Sequence, residues 1–297
     1  MKRDGSKALP SLSFEFFPPH SPEASLRLWR TVERLAPLGP RFVSVTYGAG
    51  GTTRDRTFAA IQAILERARL NVAGHLTCVS ASRAETLDAA RGYARLGVRR
   101  IVALRGDPAK GETRFTPHPD GFSSAAELVA ALREAGDFEI SVAAYPEKHP
   151  EAASLASDID NLKRKLDAGA ANALTQFFFE NTDFLRFRDA CAKAGIVAPI
   201  HPGILPVENF GKMVNFAARC QARVPGWMHE AFGAATSPEA ATALSIELAT
   251  AQIEGLIAEG VEHLHLYTLN NPDLPFDLCA SLGYAPETGA MASGGVA

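Results

Sequence analysis

The stretch "NVAGHLTCVSASRAETLDAARGYARLGVRRIVALRGD", residues 71–107, reads as strand, helix, strand. Its first eight residues form an apolar-rich run of strand length that carries a lone histidine, His75; several other such runs are apolar on both faces, as expected in a parallel sheet covered by helices. Ser82 with Glu85 three positions on forms a capping box, and Gly97 is a helix stop. A second apolar run from Arg99 then ends in the polar "LRGD". One such βα repeat does not define a fold, but it sets the pattern to look for in the rest of the chain.

The pattern recurs. Apolar, β-branched runs bounded by turn residues occur as "LSFEFF" from Leu12, "RFVSVTY" from Arg41, "FEISVAAYPE" from Phe138 and "NALTQFFF" from Asn172. "VAPIHPGI" from Val197 and "HLHLYTLN" from His263 complete eight strands. The segments between them have helical periodicity. "SDIDNLKRKLDAGA" sets Ile159, Leu162 and Leu166 on one stripe, and "SPEAATALSIELATAQIEGLIAEG" is a long amphipathic helix. Eight strands alternating with helices predict a single-domain (β/α)8 TIM barrel over residues 12–284, with flexible ends at 1–11 and 285–297. The competing open, doubly wound sheet is disfavoured because no strand leads into a full GxGxxG. "GAGGTT", residues 48–53, matches two of the three glycines only.

Composition narrows the class. The chain has 297 residues, 46% hydrophobic and 21% charged, with a net charge of −3. This is ordinary for a globular protein with a large core and gives no general attraction to nucleic acid or an anionic membrane. Neither a signal-peptide core nor an 18-residue apolar run is present. The separated cysteines Cys78, Cys191, Cys220 and Cys279 fit reduced thiols in a cytoplasmic protein, with no metal site expected.

In a barrel of this kind the active site lies where the strands end. The polar residues collect there: Glu15, Thr46, Tyr47, His75, Arg105, Asp107, Tyr145, His149, Gln176 and Asn270. Glu15 sits among phenylalanines in "SFEFFPP", on the same strand face as Ser13. It is either a general acid kept neutral by burial or a carboxylate paired with a base, and Thr46 on the next strand is placed to orient it. Arg105 and Asp107 could be a local ion pair, and His75 could be a satisfied core histidine. "NLKRKLD" is either a solvated helix face or a site for a phosphate-bearing cofactor. Gln176 among aromatics suits a flat heterocycle or merely a core strand. The residues alone reach a barrel enzyme for an aromatic, phosphorylated ligand.

Nine ordered segments resemble the bacterial 5,10-methylenetetrahydrofolate reductase family: "SFEFFPP", "FVSVTYGAGG", "HLTC", "IVALRGDP", "ISVAAYPEKHPEA", "NLKRKLDAGA", "TQFFFEN", "PGILPVENF" and "HLYTLN". The resemblance implies a catalytic domain alone, binding FAD and reducing methylenetetrahydrofolate with NADH or NADPH by ping-pong kinetics. It implies Glu15 as general acid, held protonated by its aromatic surroundings, with Thr46 and Asp107 beside it. FAD would be bound by Tyr47, His75, Arg105, Gly106, Asp107, Ala125, Tyr145, His149, Ala152, Asp158, Asn161, Arg164 and Lys165. Substrate would meet Thr46, Asp107, Gln176, Lys212, Phe216 and Asn271. The family pattern also implies a homodimer or tetramer. Three positions depart from it: Ser124 replaces a Tyr before Ala125, Lys212 stands where a Gln is usual, and Asn271 replaces an Arg. Three competing readings are weighed against this one. They are a flavin-free methyl-transferring folate barrel, a flavin barrel oxidising an amino acid, and a non-catalytic binding protein.

Overall fold

In the computed structural model, which describes residues 8–48, 53–108, 111–112 and 114–286, eight parallel strands close on themselves in chain order. They are β1 (Ser11–Phe16), β2 (Phe42–Val45), β3 (Val72–Thr77), β4 (Arg100–Leu104), β5 (Glu139–Ala144), β6 (Asn172–Phe177), β7 (Ile200–Ile204) and β8 (His263–Tyr267). The expected barrel is therefore present, and each strand falls inside the run that foretold it except β1, which begins one residue earlier, at Ser11. Of the ends expected to be flexible, 1–11 and 285–297, residues 1–7 and 287–297 lie outside the described residues, as does most of the glycine loop at 49–52, whereas Ser11 is already part of β1, in register with His263 of β8.

Helices α1 (Pro22–Leu35), α2 (Arg54–Ala63), α3 (Arg83–Arg95), α4 (Ala125–Ala135), α5 (Leu155–Asp167) and α6 (Asn181–Lys193) follow the first six strands in turn. The longer gap before β8 is filled by α7 (Phe210–Cys220), α8 (Gly226–Gly233) and α9 (Pro238–Ala258), and α10 (Leu274–Ser281) follows β8. The Ser82–Glu85 capping box starts α3, and Gly97 beyond its end has φ +85°, a left-handed conformation that suits glycine. Helix α5 starts two residues before the Ser157 read from sequence, because Ser154 caps it by accepting from the Ser157 amide.

Period-2 alternation divides each strand between two cores. Phe14 and Phe16 are fully buried in the large cluster with Leu28 and Val32 of α1, outside the barrel. Ser13 and Glu15 take the opposite face and point inward. Inside, Phe42, Ala73, Val102 and Leu174 form a small apolar plug. Around it the interior is polar: Arg100 pairs with Glu139, and His263 stacks on Phe42 at 5.8 Å. Closure is tight at Gly203. A Cβ there would lie 2.2 Å from the Thr175 carbonyl oxygen and 2.6 Å from the Tyr267 ring. The chain ends are fastened by the Tyr284 hydroxyl, which donates to the Pro10 carbonyl at 2.6 Å.

Candidate active site

The C-terminal mouth of the barrel holds two adjoining cavities. The first, of about 450 Å3, runs over the ends of β3 to β5 to the start of α4 and the exposed side of α5. Of the thirteen positions named above for a cofactor, all except His75 line it. The second, of about 670 Å3, lies over the ends of β1, β2 and β8, between Phe17, Arg27, Thr46 and Leu269. Tyr47 and Asp107 line both.

The first cavity has an apolar floor and a basic wall. Ala103, Ala125, Ala143 and Ala152 are small enough to let a ligand approach the backbone, and Arg105, Arg164 and Lys165 supply positive charge. Arg105 does not pair with Asp107. It makes a two-pronged bond to Glu151 at 2.8 and 2.9 Å and lies over the Phe115 ring. The Asp158 carboxylate accepts from the His149 amide at 2.7 Å, which fixes the "EKHPEA" loop to α5. His149 in turn packs edge-on against Tyr145. Asn161 accepts from Arg164, and Lys165 donates to the Ala143 carbonyl. Burial lowers the Lys165 ammonium to about 8, with Asp158 opposing and Arg105 adding to the shift. "NLKRKLD" thus splits: Lys163 pairs with Asp167, whereas Arg164 and Lys165 face the cavity. Ser124 also lines it and caps α4 through its hydroxyl, which accepts from the Glu127 amide.

Glu15 is placed differently from expectation. Its carboxylate is not enclosed by the rings of Phe14 and Phe16, which point out of the barrel. It faces two imidazoles instead, with Oε2 3.4 Å from His75 Nε2 and 3.6 Å from His265 Nε2. Burial pushes the carboxyl up, but the hydrogen-bonding and charge of the two histidines outweigh it and the net shift is downward. His75 is itself disfavoured as a cation by burial. The ionised carboxylate facing N–H donors is the state this geometry supports. His75 therefore sits beneath the first cavity as a partner of Glu15. Among the described residues no hydrogen bond joins Thr46 to Glu15. The Thr46 amide donates to the Phe16 carbonyl, and its own carbonyl accepts from Thr57.

His265 and His263 were missed in the sequence reading, although their period-2 spacing with Tyr267 in "HLHLY" was a usable sign that all three share a face. The other residues named for substrate, Gln176, Lys212, Phe216 and Asn271, line neither of the two cavities. Gln176 ends β6 beside Phe177, which stacks on Phe216 of α7 at 5.4 Å. Lys212 is exposed in the first turn of α7. Asn271 uses its side-chain oxygen to accept from the Asp273 and Leu274 amides at 2.9 Å, capping α10. Asn270 clamps β1 to β8 by bonding both the amide and the carbonyl of Phe17 at 2.9 Å. No set of three or more metal-ligating side chains converges among the described residues, and none of their helices is long and apolar enough to cross a membrane.

Residues 2–283 match the family model for methylenetetrahydrofolate reductase. The chain is 48% identical over 279 residues to the 5,10-methylenetetrahydrofolate reductase of Pectobacterium carotovorum subsp. carotovorum, covering 93% of this chain and 91% of that one. It is 34% identical to a probable methylenetetrahydrofolate reductase (NADH) of Oryza sativa subsp. japonica, covering 93% of this chain and 48% of the plant protein. Among solved structures, a Clostridium thermocellum protein that binds two copies of 5-methyl-5,6,7,8-tetrahydrofolic acid shares the fold, with TM-score 0.62 at 14% identity. That match covers 93% of this chain and 96% of the other.

Proposed function

We propose, from the premise that this chain belongs to the methylenetetrahydrofolate reductase family, that it reduces 5,10-methylenetetrahydrofolate to 5-methyltetrahydrofolate with a bound flavin and a reduced nicotinamide. The observation that carries the reading is the pair of cavities joined at Tyr47 and Asp107, with Glu15 at the top of β1 and basic side chains at the far end. The nicotinamide donor is supported by the plant relative's name, which specifies NADH.

The residues of the first cavity suit FAD. A diphosphate needs two or more cationic donors on one wall, and Arg105, Arg164 and Lys165 provide them. Reduced FAD, when bound, supplies the hydride. The remaining work belongs to the chain. Gln176 and the Phe216–Phe177 stack offer an amide and an aromatic face to a flat heterocycle. Lys212 is suited to a carboxylate at the edge of the mouth. Asn271, whose oxygen is engaged in capping, has its amide hydrogens left for substrate.

Glu15 moves the proton. The five-membered ring of the substrate opens when N10 departs as an amine, and a proton delivered to N10 makes that departure easier. This leaves an N5 iminium cation, which the carboxylate of Asp107 at the junction of the cavities stabilises. Glu15 lies between two imidazoles, either of which can hand it that proton.

An anaerobic visible spectrum tests the reading. A flavin band that bleaches with NADH and returns with methylenetetrahydrofolate is expected, and protein that stays colourless after incubation with FAD refutes it. Glu15→Gln should retain the NADH step and lose the folate step by about 100- to 10,000-fold. Normal folate reduction by that variant removes Glu15 from the role.

A further inference from the structure

We propose that a hydrogen-bonded relay inside the barrel, Ser11–His263–Ser13–His265, carries protons to Glu15 from the face opposite the substrate mouth. The inference rests on Glu15 being the acid of the folate step.

Every link below Glu15 is present. The Ser11 hydroxyl lies 2.6 Å from His263 Nδ1, Ser13 Oγ lies 2.8 Å from His263 Nε2, and Ser13 Oγ lies 2.7 Å from His265 Nδ1. His265 Nε2, buried and without an aligned partner, is 3.6 Å from Glu15 Oε2. This is the open link, and rotation of the carboxylate closes it. Ser11 is exposed at the bottom of the barrel, whereas Ser13 and His265 are fully buried. Glu15 lies four positions along the strand from Ser11, so the path is about 13 Å long.

With Glu15 ionised, one tautomer assignment gives every link a donor and an acceptor, and it points toward Glu15. Each serine donates its hydroxyl hydrogen to a histidine Nδ1, and each histidine donates from Nε2. Competing acceptors for the two hydroxyls, the Leu264 and Glu262 carbonyls, are farther at 3.4 and 3.3 Å. When Glu15 takes the hydrogen on His265 Nε2, the Ser13 hydrogen moves to His265 Nδ1. The His263 Nε2 hydrogen then moves to Ser13, the Ser11 hydrogen to His263 Nδ1, and one from water to Ser11. One proton enters below, one reaches Glu15, and no imidazole acquires net charge. Such concerted movement suits His263, whose cation is disfavoured by burial and by His201, His265, Arg41 and Arg100, down to about 2. After Glu15 has protonated N10 and product has left, a proton entering from the open mouth and running down the chain restores the first orientation.

The chain solves a problem of access. Only 12% of the Glu15 side chain is exposed even without ligand, and a heterocycle over the mouth covers that remainder when the proton is required. A purely structural polar core would leave proton delivery untouched, which makes the two roles separable.

Two experiments test the relay. In the cofactor-free protein, nitrogen-15 spectra of the imidazoles should show that Glu15→Gln moves the ring signals of both His265 and His263, and that adding Ser13→Ala stops the response at His263. Unchanged His263 signals in Glu15→Gln alone would overturn the relay. In the flavin-loaded enzyme, Ser13→Ala and, independently, His263→Phe should slow single-turnover folate reduction about ten-fold or more and leave nicotinamide oxidation unchanged. His263→Phe keeps a flat ring on Phe42. The solvent-deuterium dependence should be curved in the parent, with several protons moving together, and linear in both variants. Folate reduction within about two-fold of the parent in both variants, or equal slowing of both half-reactions, would also overturn it. Failure of the underlying reading would appear separately, as normal folate reduction in Glu15→Gln with the spectroscopic coupling intact.

Discussion

Replacing Lys165 by methionine tests whether the basic end of the cofactor cavity is maintained at the expense of the fold. In the folded chain its ammonium titrates at about 8, against an ordinary lysine value of 10.5. At 1.36 kcal/mol per pH unit, that difference corresponds to about 3 kcal/mol of destabilisation by the charged form near neutral pH. The side chain is half-buried, and water in the cavity reduces the figure to about 2 kcal/mol. Losing the bond to the Ala143 carbonyl gives back about 1 kcal/mol. Between the two pKa values the unfolded chain holds a proton that the folded chain has released, so the stability of the parent rises with pH across that window. Lys165→Met is therefore expected to be about 1 kcal/mol more stable than the parent at about pH 7, with the advantage lost by about pH 10. FAD affinity should fall about 10- to 100-fold as one charged phosphate contact is removed. Urea unfolding of the FAD-free proteins at both pH values, with flavin titration alongside, measures all three quantities. A variant less stable than the parent by the same amount at both pH values would refute the argument.

Glu151→Gln removes the two-pronged partner of Arg105, and FAD titration should show affinity raised roughly 3- to 10-fold because the guanidinium is no longer neutralised. Gly203→Ala brings a methyl group against the Thr175 backbone oxygen, which cannot yield cheaply, and urea unfolding should show a loss of about 3 kcal/mol or failure to fold. Tyr93→Phe leaves the ring stacked on Phe58 but strips the His75 carbonyl of a 2.8 Å hydrogen bond. Thermal unfolding should show it about 1 to 3 kcal/mol less stable.

The barrel was legible because its signals are local. The Ser82–Glu85 cap, the stop at Gly97 and the doubly apolar strands each depend on a few neighbouring residues. The lining of the first cavity was legible for a related reason, since strand ends and the turns after them reach one mouth in this fold. What stayed hidden depends on register. The predicted barrel sets β8 beside β1, and period 2 shows that Glu15 shares a face with Ser13 and that His263 shares one with His265, but neither shows that Ser13 lies level with His265 with both faces turned inward. Only that register turns an acid among phenylalanines into a carboxylate between imidazoles. Arg105 was likewise read against Asp107, two residues away, when its partner is Glu151 on the following strand's loop. The Thr46 side chain was read toward Glu15 from strand adjacency alone, which does not fix where a hydroxyl turns.

The pairing of β1 with β8 also has a temporal side. Ser11, Ser13 and Glu15 leave the ribosome about 250 residues before His263 and His265, and closing so long a loop is an entropic cost that the other strand pairs do not share. A growing chain with seven strands made already contains the walls of the first cavity, but neither His265 nor the Asn270 clamp. The proposed proton path to Glu15 is then the last element to be assembled during synthesis, so a chain interrupted before its final strand would have the cavity and lack the route that serves it.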